Sequence, residues 1–149
     1  MRYLLAGIAF VLCLPLPASG AVRGDEVMYV GGTLRGLAEK TEGKLDITGQ
    51  SGMVFTAKKS TAAIPYKGIA SLAYGQKAGR AAARAFAAKK RKHYLTVTFS
   101  DEAGMNQSVV FELAKGIVSS VVTRMESRSG KKLDFDSEED RKQFERETK

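Results

Sequence analysis

The spacing of apolar residues changes near residue 113. Up to that point apolar and polar residues alternate in short runs, as in YLTVTF at 94–99, which is the pattern of a β strand with one buried face. Beyond it, apolar residues recur at steps of one, three and four, as in a single stripe on an α-helix. The stripe consists of Leu113, Ile117, Val118, Val121, Val122 and Met125. The chain therefore predicts a set of β strands followed by one amphipathic helix over about 114–129.

Turn and bulge residues divide the first part of the chain into about seven strands. Gly31 and Gly32 indicate a bulge or bend in the first strand, which is expected to resume at 33–35. Pro65 places its strand near an edge or a bend, and Gly104 suits a hairpin loop that needs positive φ. Gly130 is placed to end the helix. The predicted strands are 27–35, 44–48, 53–57, 62–66, 69–74, 94–99 and 107–113.

These elements predict a mainly β (α+β) fold, in which a barrel or roll of antiparallel strands is closed at one opening by the C-terminal helix. The predicted domain covers residues 22–132. Residues 133–149 form a charged C-terminal tail, in which 133–135 is expected to pin the chain back on the domain. Ser137 and the acids after it predict a short helix. That helix is expected to be exposed or frayed because Phe144 is its only large apolar residue.

Residues 1–21 have the order of a secretory signal peptide. A basic start, an uncharged apolar run at 3–14, two prolines and the small residues at 18–21 follow one another. The apolar run is shorter than the roughly 20 residues that span a bilayer. The sequence therefore predicts export, periplasmic or secreted, after cleavage near Gly20 or Ala21. The alternative is an uncleaved N-terminal membrane anchor.

The single cysteine, Cys13, lies inside this predicted signal segment. The predicted mature chain therefore has no disulfide, no thiol nucleophile and no thiolate metal ligand. Its stability is expected to come from one hydrophobic core.

Seven cations and no acid lie in one stretch, residues 77–92, which we call the basic segment. With Arg2 they account for the whole net charge of +8, so the rest of the chain is balanced. The segment is the candidate binding site, and it predicts contact with an anionic membrane surface or an acidic protein. The alternative is a solvated insertion that keeps the protein soluble. Nucleic acid is not expected, because the segment has a single aromatic residue, Phe86, for base stacking. The candidate residues are Lys77, Arg80, Arg84, Lys89, Lys90, Arg91 and Lys92.

No combination of residues predicts catalysis, a cofactor or a metal. His93 is the only histidine, no serine stands in a GxSxG context, and DFDSEED at 134–140 lacks the glycine and later glutamate of a calcium loop. We therefore interpret His93 as a residue at a strand edge, whose charged form is disfavoured by Arg91 and Lys92. The sequence predicts a non-enzymatic binding or scaffold domain.

The chain also resembles a group of uncharacterised exported bacterial proteins with a pleckstrin-homology-like (PH-like) domain. The resemblance is carried by GGTL at 31–34, IPYKGIASLAYGQ at 64–76, KKRKHYLTVTF at 89–99, VVFELAK at 109–115 and ESRSGKK at 126–132. It implies a split β-barrel capped by one C-terminal helix. Because such folds serve many different partners, the resemblance implies a fold and not a function.

One property of PH-like domains does not carry over. Members that bind phosphoinositides have a basic cluster between the first two strands, whereas residues 37–43 offer only Lys40 between Glu39 and Glu42. The alternative function is a protein–peptide interaction module that uses a sheet edge or the barrel groove.

Overall fold

The computed structural model describes residues 26–76 and 92–149. The predicted signal peptide and residues 77–91 lie outside this part. The strands are β1 Glu26–Gly32, β2 Thr41–Asp46, β3 Gly52–Ala57, β4 Thr61–Pro65, β5 Ile69–Gly75, β6 His93–Ser100, β7 Asn106–Leu113 and β8 Leu133–Phe135. The α-helices are α1 Val118–Ser129 and α2 Glu138–Thr148, and 3-10 turns lie at Tyr66–Gly68 and Lys115–Ile117.

One sheet contains all the described strands, in the order β4-β3-β2-β1-β7-β6-β5-β8. The first seven pair in antiparallel fashion, whereas β8 runs parallel to β5. The prediction of a mainly β fold is confirmed. The sheet has eight strands in the described part, one more than the seven predicted. The extra strand comes from the predicted tail, where Leu133 and Phe135 pair beside Leu72 and Tyr74.

The sheet is strongly curled, and the connection from β4 to β5 shows why. These strands are first and seventh in the sheet order, so in a flat sheet they would lie about 29 Å apart. Only the turn Tyr66–Gly68 joins them, and the four Cα steps from Pro65 to Ile69 span at most about 15 Å. The sheet must therefore roll until β4 approaches β5. It does not close, since β4 and β8 are its edge strands in the described part.

The inner face of the roll is filled by alternate side chains of β1 to β7. At its centre the rings of Tyr29, Phe55 and Phe111 lie 5.3 to 6.4 Å apart, centroid to centroid. The predicted helix forms as α1, beginning after the 3-10 turn, and Gly130 ends it at a φ of 69° as expected. Four residues of its apolar stripe are buried in the same core: Val118, Val121, Val122 and Met125. Because α1 also contacts the Tyr66–Gly68 turn, it packs beside the gap between β4 and β5.

The glycine pair of β1 marks a bulge inside the strand. The register against β7 shifts between Tyr29 and Gly31, and Gly32 has a φ of 145° that favours glycine. The strand ends at Gly32, so the prediction that it resumes at 33–35 is wrong. The Thr33 N–H instead donates to the Ser108 carbonyl at 2.8 Å, which pairs the chain with β7 for one more residue.

The C-terminal tail is built onto the sheet. Residues 133–135 pin the chain as β8, and Ser137 caps α2 by accepting a hydrogen bond from the Asp140 N–H, both as predicted. The helix is less exposed than its composition suggests, because Phe144 packs against Tyr74 and Phe135.

Candidate functional site

The basic segment starts and ends on neighbouring strands. β5 and β6 pair as far as Gly75 and Tyr94, and Cα atoms of such paired residues lie about 4.5–5.5 Å apart. The segment is therefore an insertion in the β5–β6 hairpin. We call the residues that hold its two ends, Tyr74 to Gln76 and Lys92 to Tyr94, the root.

Of the seven candidate binding residues, Lys92 alone lies in the described part of the chain. Its ammonium nitrogen is 2.9 Å from a carboxylate oxygen of Glu112 on β7. This ion pair holds one end of the segment against the outer side of the sheet. The other six candidates lie outside the described residues: Lys77, Arg80, Arg84, Lys89, Lys90 and Arg91.

A buried chain of polar groups crosses the root. The Tyr74 hydroxyl lies 2.6 Å from His93 Nδ1, and His93 Nε2 lies 3.3 Å from a carboxylate oxygen of Glu147 on α2. Neutral His93 with its proton on Nε2 satisfies every contact, since Nδ1 then accepts from Tyr74 and Nε2–H donates to Glu147. The network therefore joins β5, β6 and α2.

Burial controls the electrostatics of this network. It raises the pKa of Tyr74 to about 12, with a further increase from Glu147 and Asp140 and a decrease from the hydrogen bond with Gln76. Burial also lowers the pKa of His93, where Glu147 acts in the opposite direction and Lys115 adds to the decrease. The expected direction for His93 is therefore confirmed, but the cause is different. His93 does open its strand next to Lys92, as interpreted, but the interpretation missed that the side chain is buried and bonded at both ring nitrogens.

The network does not offer a reactive group to a substrate. Tyr74 is fully buried, and a hydroxyl with so high a pKa is a poor nucleophile at neutral pH. His93 already uses both ring nitrogens on protein groups. The arrangement is suited to fixing three elements in place.

Further contacts hold α2 over the root. An Asp140 carboxylate oxygen accepts a hydrogen bond from the Gln76 backbone N–H at 3.1 Å. The neighbouring Asp136 packs so closely that a Cβ atom at Gly75 would overlap its carboxylate. Burial, and then the charge of Asp140, raise the pKa of Asp136. Carboxylates of Asp136 and Asp140 thus hold the root, although the root supports the two ends of the basic segment.

A second basic region lies at the opposite strand ends. A cleft of about 510 Å³ is lined by Lys40, Lys58 and Lys59, by one acidic residue, Glu42, and by the hydroxyl residues Thr41 and Ser60. The pairing of β2 with β3 brings the two turns together, because it continues to Gly43 and Ala57. In the sequence only Lys40 stands between the first two strands, because Lys58 and Lys59 belong to a later turn. The register in which β2 pairs with β3 is the signal that could have placed Lys58 and Lys59 next to Lys40.

A groove follows the free edge of the sheet. It has a volume of about 390 Å³ and is formed by the start of β3, the end of β4 and the β6–β7 loop. Within 26–76 and 92–149, β3 is the only strand that pairs with β4. The groove is lined by Ser51, Gly52, Met53, Val54, Ala63, Ile64, Pro65, Phe99, Asp101 and Glu102.

No group of three or more histidine, cysteine, aspartate or glutamate side chains in the described part could hold a metal ion. None of the described helices has the length and apolar character needed to cross a membrane. No protein-family model matches the chain, and no curated protein sequence matches it.

Proposed function

We propose that this chain is an exported, non-enzymatic binding domain that contacts anionic membrane surfaces through its basic segment. The observation that supports this is the root. Because β5 and β6 are paired up to Gly75 and Tyr94, the segment that carries the seven cations begins and ends at the same end of the sheet. Each cation near an anionic bilayer contributes about 1 kcal/mol. Several acting together give an attachment that salt weakens.

The proposal includes a PH-like architecture and export. A curled sheet of seven antiparallel strands with a helix after the last one supports the resemblance to PH-like domains, in which β8 and α2 would be additions. The predicted signal peptide at 1–21 supports export, which would expose the protein to envelope lipids.

Vesicle flotation tests the membrane contact. The protein is expected to float with anionic vesicles and not with neutral ones at low salt, and to be released near 0.3 M salt, where the Debye length is well below ~10 Å. Changing Lys89, Lys90 and Arg91 to Gln should weaken binding on the order of 100-fold, from three lost contacts of about 1 kcal/mol each. Lys92 is left intact to preserve its ion pair with Glu112.

The matched control removes three exposed lysines elsewhere, Lys58, Lys59 and Lys67. It loses the same net charge and should retain the binding. Equal flotation with neutral vesicles would exclude the membrane contact. An equal loss of vesicle binding in the control variant would show that the basic segment is not the contact site. Binding to an acidic protein without binding to vesicles would favour the other predicted partner.

A second candidate function, a peptide-binding module, is favoured by the free edge of β4 and the groove beside it. A strand edge binds an extended peptide through main-chain hydrogen bonds. Such an interaction should survive about 0.3 M salt, where surface charges are screened. It should be weakened by Ala63→Lys, because a charge on an edge strand opposes strand addition. Retained binding in that variant would exclude this edge.

A further inference from the structure

The free edge of β4 carries an ordered row of backbone groups. The Tyr66 N–H donates to the Ser51 carbonyl at 3.0 Å, and in an antiparallel pair alternate residues of a strand bond the same neighbour. The even-numbered residues of β4 therefore bond β3, whereas Thr61, Ala63 and Pro65 direct their backbone groups to the edge. Within 26–76 and 92–149 no strand pairs with this edge, and the groove of about 390 Å³ opens along Ala63 and Pro65.

The sequence of β4 lacks the side chains that usually protect an edge strand. Proteins block such edges with charged residues, lysine above all, or with proline. The strand reads TAAIP and contains no charged residue. Pro65 withholds one N–H, but it is the last residue of the strand and keeps its carbonyl. The groups of Thr61 and Ala63 are thus available to a second strand.

Opposite charges flank the two ends of this edge. Lys58 and Lys59 lie in the turn immediately before β4, and both are exposed. At the other end, Asp101 and Glu102 line the same groove as Pro65. The edge therefore has a basic end and an acidic end, with uncharged residues between them.

We propose that the edge of β4 binds the same edge of a second copy of this chain, antiparallel and about a twofold axis at Ala63. Such an axis repeats every contact. Ala63 then bonds Ala63 of the second copy in both directions, and the Thr61 N–H donates to the Pro65 carbonyl of the other chain. The same rotation brings the basic end of each copy to the acidic end of the other, so Lys59 faces Glu102 at both ends.

The charge polarity favours a second copy over an unrelated peptide. Antiparallel pairing of the edge with itself matches opposite charges at both ends, whereas parallel pairing would place like charges together, which is costly. The strand has five residues, and a stable interface buries roughly 800 Å² per partner, more than one pair of short strands supplies. We therefore expect a weak dimer whose population rises with protein concentration. The inference does not depend on what the basic segment binds.

Sedimentation velocity over a range of protein concentrations measures the dimer. Lys59→Glu and Glu102→Lys each create two like-charge pairs, so each variant alone should raise the dissociation constant at least about tenfold. An equimolar mixture of the two variants should dimerise as the wild type does, because a carboxylate again faces a lysine at both ends of the mixed dimer. Recovery in the mixture also shows that both variants are folded.

Three results would overturn the proposal. They are a wild type that stays monomeric up to about 1 mM, single variants that dimerise as well as the wild type, and a mixture that stays monomeric. Ala63→Lys places two lysines at the axis and should also weaken the dimer. If Ala63→Lys reduced the binding of an extended peptide but left sedimentation unchanged, the edge would serve the peptide and not a second copy.

The matched control variants are Lys142→Glu and Glu145→Lys. They make the same charge changes on the exposed side of α2, the helix whose Phe144 packs beside β5 and β8, and each should dimerise as the wild type does. An equal loss of dimer in these controls would show that net charge, and not the edge of β4, governs association. Flotation at concentrations where the chain is monomeric keeps the two proposals separate, because Lys59 is also changed in the vesicle control.

Discussion

The ring of Phe144 lies 5.1 Å from the ring of Tyr74, centroid to centroid, with the ring planes inclined by 64°. Phe135 completes the cluster at 6.0 Å from Tyr74 and 5.5 Å from Phe144. Edge-to-face pairs of this kind stabilise beyond the area they bury. Since the three rings belong to β5, β8 and α2, this cluster is the main apolar contact between residues 136–148 and the strands that carry the root.

The first prediction removes that contact. Phe144→Ala should destabilise the docking of α2 by about 1–2 kcal/mol, less than the roughly 3–5 kcal/mol for a fully buried phenylalanine, because this ring is only partly buried. Hydrogen exchange should accelerate in 138–148 while β6 and β7 keep their protection. Phe144→Leu is the control and should retain most of the stability. Acceleration spread equally over the whole sheet would show that α2 does not open as a separate unit.

The paired strands and α1 could be predicted from the sequence because each rests on a local pattern. Alternation over 94–99 and 107–113 identified β6 and β7, and Gly104 takes a φ of 77° in their loop as expected. For α1, valine and isoleucine favour strands, but the helical spacing predicted the helix correctly. A stripe of apolar residues at one spacing can be buried in only one kind of element.

The root network could not be predicted, because its members are far apart in the chain. His93 and Glu147 meet through the docking of α2, to which the helix contributes one large apolar residue, Phe144. A lone aromatic residue in a charged segment carries no periodic signal. Likewise, the parallel pairing of β8 depends on three residues, too few for a recognisable strand pattern.

A second prediction concerns the bulge in β1. A Cβ atom at Gly32 would overlap the carbonyl oxygen of Ser108 on β7, and the φ of 145° is unfavourable for other residues. Gly32→Ala should therefore lower the free energy of unfolding by at least about 2 kcal/mol, measured by urea denaturation. Gly116→Ala is the control, because a Cβ there meets nothing within 4 Å. Equal stability of the two variants would contradict the assigned register.

A third prediction tests whether α1 belongs to the core. Met125 is fully buried, so Met125→Ala should lower the free energy of unfolding by about 2–5 kcal/mol. Thr123→Ala, on the exposed side of the same helix, should change it by less than about 0.5 kcal/mol. Thermal unfolding followed by circular dichroism measures both. Similar small effects in the two variants would mean that α1 does not pack on the sheet.

The last prediction uses the β6–β7 loop, where one carboxylate organises the turn. Asp101 accepts hydrogen bonds from the Gln107 side chain at 2.9 Å and from the Met105 and Ala103 backbone N–H groups at 2.8 and 3.0 Å. These bonds lower the pKa of Asp101, the one from Gln107 most. The stabilisation is thus present above the ordinary pKa of about 3.9 and is lost as the pH falls through the lowered value.

Asp101→Asn should reduce Tm at pH 7, and the difference from the wild type should shrink below about pH 4. Glu102→Gln, the adjacent carboxylate in the same loop, controls for the lost charge and should leave Tm nearly unchanged. A Tm difference for Asp101→Asn that persists undiminished at pH 3 would show that the ionised carboxylate is not what holds the loop.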